Sequence, residues 1–110
     1  MKANNRTFRK FVTRICGDLA GECMYAGSLN ESADQEKLAE IIVTIARLQS
    51  RTIDRMGISF DKVPREFPNA KEYRKARRAY FAAAFKALKA DFMEELKKVV
   101  DEMNKAVPRK

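Results

Sequence analysis

The stretch NAKEYRKARRAYFAAAFKALKADFMEELKKVVDEMNKAV, residues 69–107, decides the fold. It follows Pro68 and opens with Asn69, a residue type that caps helix N-termini, and Glu72 three positions later completes a capping-box pattern. Most of the remaining positions hold alanine, leucine, lysine, arginine or glutamate, which are the strongest helix formers. No glycine or proline interrupts the run before Pro108. The sequence therefore predicts one long helix over about 70–106.

Two shorter amphipathic segments precede this helix. In the first, over about 7–27, apolar residues recur every three or four positions, which places them on one face of a helix. They are Phe8, Val12, Ile15, Leu19, Cys23 and Ala26. The second, over about 32–56, has Ser32 and Gln35 in the capping-box pattern and is followed by Gly57, which stops helices.

The connection over 57–68 contains Pro64 and Pro68, which exclude a continuous helix, and it also holds several large apolar side chains. We expect this apolar loop to fold back and close one end of the helix bundle. Three amphipathic helices with a short first connection predict an all-α fold. We expect a single domain over 1–110, an up-down-up antiparallel bundle of three main helices with a long third helix.

The helix lengths do not match. The first two helices would span roughly 32–36 Å and the third nearly 60 Å, at about 1.5 Å per residue. We expect the last third of helix three to outrun its neighbours and to cover its apolar stripe with a second copy of the chain. The candidate self-association surface is Leu96, Val99, Val100, Met103 and Val107. The alternative is a break near Ala90 and Asp91, which would fold the second part back and give a four-helix bundle.

Positive charge is concentrated in three segments. The chain has 23 Lys and Arg residues against 15 Asp and Glu residues, a net charge of +8. In an up-down-up bundle the start of helix one, the finish of helix two and the start of helix three lie at the same end. This arrangement predicts a docking surface for polyanion, either nucleic acid or an acidic protein, with Tyr73 and Tyr80 nearby for stacking. The candidate residues are Lys10, Arg14, Arg51, Arg55, Lys71, Arg74, Lys75 and Arg78.

Catalytic and metal chemistry have few candidates. The chain contains no histidine, the commonest general base and metal ligand. Cys16 and Cys23, if they share one helix, lie about 10 Å apart along its axis, too far for a disulfide. We interpret both as free thiols that face the core. The sequence predicts no catalytic residue, no metal or cofactor site and no small-molecule substrate.

Gly17 and Gly21 lie opposite the apolar stripe of helix one. Each should cost about 1 kcal/mol relative to alanine in a helix interior. Either the helix tolerates two weak positions, or something packs closely against that face.

No apolar run approaches the ~20 residues of a membrane span, and residues 1–14 are polar and basic, without the apolar core of a secretory signal. We therefore expect a cytoplasmic protein. The favoured hypothesis is a small non-enzymatic interaction module that forms homo-oligomers, a dimer first, through the distal part of helix three. The alternative is a nucleic-acid-associated accessory protein that binds polyanion through the basic end.

Overall fold

A computed structural model describes residues 2–107, with side chains from residue 6 onward. It contains three α-helices, which are α1 (Lys2–Leu29), α2 (Gln35–Arg55) and α3 (Ala70–Ala106). A single turn of 3-10 helix, Pro64–Glu66, lies in the connection between α2 and α3. The described residues include no strand, so the all-α prediction is confirmed.

α3 runs without interruption for 37 residues. Asn69 caps it, because its side-chain oxygen accepts the backbone N–H of Glu72 at 2.9 Å. Ala90 and Asp91 lie inside the helix, so the four-helix alternative that needed a break at these residues is wrong. The physical reason is the unbroken run of strong helix formers, which offers no residue suited to a turn.

α2 begins later than the sequence pattern suggests. Asp34 rather than Ser32 is the N-cap, since its carboxylate accepts the backbone N–H of Lys37 at 3.0 Å. The Asn30 side chain accepts the N–H of Ser32 at 2.9 Å, which holds the short turn between α1 and α2 in place. Ser32 and Asp34 are both residue types that cap helix N-termini, and the conformation of the turn places Asp34 at the cap position.

The contacts between helices fix their directions. The backbone N–H of Asp34 donates to the carbonyl of Ala106 at 3.0 Å, so the start of α2 lies beside the end of α3. At the other end of α2, Arg55 pairs with Asp91 at 2.9 Å. α2 and α3 therefore run antiparallel. Gln35 at the start of α2 donates to the carbonyl of Gly27, near the end of α1, at 2.7 Å. Phe8, near the start of α1, meets Phe85 and Phe92 of α3, beside the end of α2, so α1 folds back along α2 and runs in the same direction as α3.

The core lies between α1, α2 and the second half of α3. Phe92 is buried at its centre, and its ring centroid lies 5.8 Å from that of Phe8 and 6.2 Å from that of Phe11 in edge-to-face contacts. The buried residues of α3 all lie in its second half. They are Leu88, Phe92, Leu96, Val99 and Ala106.

This distribution corrects the predicted overhang. The prediction left the last third of α3 uncovered, but Leu96 and Val99 are only 9% and 4% exposed, and Met103 and Val107 pack against the core. The physical reason is register. Because Ala106 lies at the start of α2, α3 outruns the 21 residues of α2 only at its N-terminal end. Residues 70–80 therefore project beyond the bundle, and the molecule is elongated, 66 × 19 × 18 Å.

The connection over 57–68 folds back, as expected, but it lies along the projecting part of α3 instead of closing the bundle. The ring centroid of Phe60 lies 5.8 Å from that of Tyr73 and 5.3 Å from that of Tyr80. Phe67 also meets Tyr73, at 5.6 Å. This aromatic cluster fastens the loop to one face of the projecting helix.

The two exposed glycines of α1 generate a stability prediction. Among residues 2–107, and apart from the neighbouring backbone of α1 itself, no atom lies within 4 Å of the position that a Cβ would take at Gly17 or Gly21, so none of these residues packs closely against that face. Replacing either glycine with alanine should raise the free energy of unfolding by about 1 kcal/mol, because alanine loses less backbone entropy in a helix. Urea denaturation in dilute solution measures the change.

Gly27 is the matched control within the same helix. A Cβ there would lie 2.9 Å from Oε1 of Gln35 and 3.3 Å from Cδ1 of Leu38. Gly27→Ala should therefore gain less stability than the other two variants, or lose some. A loss of stability at Gly17 or Gly21 would contradict the open environment described here.

Candidate functional site

The two halves of α3 differ sharply in charge. Residues 70–90 carry seven bases against one acid, Glu72, whereas residues 91–106 carry three bases against five acids. The first half includes the projecting part of the helix, and the second half forms the core. The excess positive charge therefore lies where α3 has least cover from the rest of the chain.

Five of these bases form one row along α3, which we name the basic stripe. They are Lys71, Lys75, Arg78, Lys86 and Lys89. At 3.6 residues per turn they fall within about 80° of the helix circumference and extend over roughly 27 Å. All five side chains are exposed. Ala82 occupies the gap in the row, so no bulky side chain interrupts it.

The charges of the basic stripe are not neutralised within the described residues. The ion pairs there are Lys37–Glu102, Arg55–Asp91, Lys98–Glu95 and Lys105–Asp101, and none includes a stripe residue. In the core half of α3, by contrast, two of the three bases are paired. The ammonium of Lys89 lies 5.4 Å from the ring centroid of Phe85, a contact that adds no negative charge. The stripe therefore presents positive charge to solvent.

The aromatic cluster lies on the side of α3 opposite the basic stripe. Tyr73 and Tyr80 are about half a turn around the helix from the stripe, and both contact Phe60 of the loop. The two tyrosines thus serve packing between loop and helix, and they do not stand beside the stripe as stacking groups. The loop covers one face of the projecting helix and leaves the basic face open.

The structure does not bring the eight predicted polyanion residues onto one surface. Lys71, Lys75 and Arg78 belong to the basic stripe, and Arg74 lies beside it. Lys71 is 20 residues from Asp91, the partner of Arg55, a separation of roughly 30 Å along α3. The projecting residues are thus far from those of the bundle.

The other four predicted residues lie on two separate faces of the bundle. Arg51 and Arg55 line a groove between α2 and α3. There the carboxylate of Asp91 neutralises the charge of Arg55 in an ion pair. Lys10 and Arg14 are exposed on the side of α1 opposite buried Val12. Sequence reasoning missed Lys86 and Lys89 as members of the basic stripe. Lys86 lies eight positions after Arg78 and Lys89 three positions after Lys86, a spacing that keeps both on the helix face of the earlier bases and was the available signal.

The groove between α2 and α3 is polar and open, with a volume of about 300 Å³. Its charged side chains include both signs. They are Arg51, Arg55, Asp91, Glu94, Glu95 and Lys98. Opposite charges this close balance one another, so the groove attracts neither anions nor cations strongly.

Cys16 and Cys23 are free and buried, which confirms the interpretation as core-facing thiols. Burial raises the pKa of both thiols, and the neighbouring carboxylate of Glu22 raises the pKa of Cys23 further. Because the thiolate is the reactive form, both groups are weak nucleophiles at neutral pH.

Within residues 2–107, no group of three or more cysteine and carboxylate side chains is placed to hold a metal ion. No helix in this part of the chain has the length and apolar character needed to cross a membrane. Comparison with known proteins finds no family, no curated protein and no solved structure that matches the chain.

The environment of the thiols predicts slow chemical modification. An aromatic disulfide reagent at pH 7 should label Cys16 and Cys23 far more slowly in the native protein than in denaturant, because both thiols are buried and protonated. Absorbance of the released thiolate follows the reaction. Native labelling as fast as that of the unfolded chain would show that the core around α1 opens readily.

Proposed function

We propose that the protein is a non-enzymatic module that binds nucleic acid through the first half of α3, which includes the projecting residues 70–80. The observation that carries the proposal is the basic stripe, a straight row of five exposed bases without ion-pair partners in the described chain. It stands on the open face of a helix whose opposite face is held by the aromatic cluster.

The stripe has the dimensions of a phosphate backbone contact. Along one strand of duplex DNA the phosphates advance about 3.4 Å per nucleotide along the axis, so a row of roughly 27 Å passes about eight of them. Each contact releases counterions from the nucleic acid, which favours binding at low salt. The N-terminal end of α3, with its positive dipole, lies at the same end of the row and adds to the attraction.

A linear row of like charges suits a linear polyanion better than an acidic protein surface. Protein interfaces rely on large apolar or aromatic anchors, whereas the exposed positions between the stripe bases hold mainly alanines, including Ala79, Ala82 and Ala83. These small side chains allow the helix to approach a groove closely, and the major groove of duplex DNA admits an α-helix. The stripe contains no Asn or Gln to read base edges, so we infer binding without strong sequence preference.

Fluorescence anisotropy with a labelled DNA duplex tests the proposal. The wild-type protein should bind at about 50 mM salt, and the binding constant should fall steeply as salt rises. The triple variant Lys71→Gln, Lys75→Gln, Arg78→Gln removes three phosphate contacts. It should weaken binding and lower the magnitude of the log–log salt slope by about 2.7, at about 0.9 per contact.

A second triple variant controls for net charge. Lys97→Gln, Lys98→Gln, Lys105→Gln also removes three positive charges from exposed positions of α3, but from its core half, and it should bind DNA nearly as the wild type does. The loss of two exposed ion pairs should cost little stability. No binding by the wild type at about 50 mM salt, or equal losses in the two triple variants, would overturn the proposal.

A further inference from the structure

α1 and α3 leave an apolar groove between them on the side away from α2. A cleft of about 380 Å³ opens between the two helices, and its floor reaches Leu38 of α2. The other apolar residues that line it are Leu19, Cys23, Ala26, Val100, Met103 and Val107. A second cleft, of about 310 Å³, continues along α3 past Met93 and Leu96, and Val100 lines both clefts. We name the two clefts together the α1–α3 groove.

The groove has the length and position of a site for one more helix. α1 and α3 run in the same direction with antiparallel α2 behind them, an arrangement that fills three corners of a four-helix bundle. Met93 and Val107 mark the ends of the groove on α3, roughly 21 Å apart. Met93 is 43% exposed and Val100 38%, so the groove offers apolar surface that a helix of about four turns would cover.

The half of the bundle that contains the groove is acidic. Residues 15–46 carry six acids against one base, and residues 91–106 carry five acids against three bases. These segments include the end of α1, the start of α2 and the end of α3, which the contacts described above place at one end of the bundle. Negative charge therefore surrounds the groove, although the chain as a whole has a net charge of +8.

Two carboxylates stand on the α1 side of the groove. Glu22 lines it, and Asp18 lies one turn earlier, on the same side of α1 as Phe11. Both acids are exposed, and neither is in an ion pair within the described chain. The carboxylate of Glu22 also raises the pKa of Cys23, which lines the groove, so its charge acts on the groove itself.

α3 adds little positive charge to the groove. Among the described residues that line it, Lys97 is the one base. Asp101 also lines it and is paired with Lys105 at 3.3 Å. Lys89, the last residue of the basic stripe, precedes Met93 and does not line the groove. A ligand in the groove would therefore leave the stripe uncovered.

We propose that the α1–α3 groove binds a basic amphipathic helix of a partner protein. The apolar face of that helix packs on Met93, Val100 and Met103, and its lysine or arginine side chains meet Asp18 and Glu22. The acids of the groove repel nucleic acid and anionic lipid, and a second copy would present the same acidic surface. The inference does not depend on nucleic-acid binding.

Fluorescence anisotropy with two labelled synthetic peptides tests the inference. One peptide has about 18 residues, with leucine at every third or fourth position and lysine and alanine elsewhere, and the other has glutamate in place of each lysine. At about 0.1 M salt the lysine peptide should bind at least about tenfold more tightly than the glutamate peptide. It should gain helix by circular dichroism as it binds, since short peptides are only marginally helical alone.

Two double variants of the protein locate the charge contact. Asp18→Lys with Glu22→Lys should weaken binding of the lysine peptide at least about tenfold and strengthen binding of the glutamate peptide. Glu36→Lys with Glu40→Lys is the matched control, because it makes the same change in net charge at the same four-residue spacing. Both control positions are exposed on α2, outside the residues that line the groove, so this variant should change the two affinities far less.

A pair of single variants tests the apolar contact. Val100→Asn places a polar group where the two clefts meet, and it should weaken binding of the lysine peptide at least about fivefold. Val43→Asn is its control, because Val43 is 48% exposed on α2, outside the groove, and its substitution should leave the affinity unchanged. Circular dichroism checks that each variant keeps its helices.

Three results would overturn the inference. They are no binding of the lysine peptide at about 1 mM protein, equal binding of the lysine and glutamate peptides, and equal losses in the two double variants. Should Val100→Asn fail to fold, the double variants still decide, since their effects on the two peptides have opposite signs. Failure of the peptide to bind would leave the DNA-binding result unaffected, because the basic stripe and the groove use different residues.

Discussion

The structure depends on the register of α3 against α2. The N–H of Asp34 donates to the carbonyl of Ala106, and Lys37 lies 3.2 Å from Glu102 beside it, so the two helices meet at that end. α3 has 37 residues and α2 has 21, and at about 1.5 Å per residue the difference is roughly 24 Å of helix. With one end fixed, all of this length extends beyond the other end. Exposed ion pairs contribute about 0–1 kcal/mol, whereas each buried leucine, valine or phenylalanine contributes about 1.5–3 kcal/mol, so the apolar residues of α3 hold the register.

This register explains why the two parts of α3 differ in burial and in charge. From Leu88 onward α3 supplies buried apolar side chains and bears more acids than bases. Residues 70–80 add no side chain to the buried core, which α3 first meets at Phe85, and these projecting residues can carry bases that repel one another. The helix stays formed there because alanine, lysine and arginine favour it and because the loop residues Phe60 and Phe67 pack against Tyr73. The proposed contact with nucleic acid therefore uses the first half of α3.

Local signals in the sequence predict the helices well. Asn69 and Glu72 mark the start of α3, and the absence of glycine and proline predicts its continuity. The choice between Ser32 and Asp34 as the cap of α2 could not be made locally. It depends on the turn at Asn30 and on the contact of Asp34 with Ala106, which form only in the folded chain.

The register itself has no local signal. The spacing of Leu96 and Val99 shows that they share a buried face, but not which helices cover it. The prediction therefore assigned the excess length to the wrong end of α3, and of the five residues of the candidate self-association surface Val100 alone is exposed. The sequence does show that Lys86 and Lys89 continue the row that begins at Lys71. Whether this row faces solvent follows only from the structure, in which these side chains are exposed.

Amide hydrogen exchange along α3 tests the register most directly, because it compares two halves of one helix in the same sample. Amides from about Leu88 to Met103 should be strongly protected, with opening free energies close to that of global unfolding, since they lie in the core half. Amides from Lys71 to Ala79 should exchange much faster, because only the loop covers them. The opposite gradient, with the residues after Leu96 exchanging faster than those before Tyr80, would show that the distal half projects and would contradict the account.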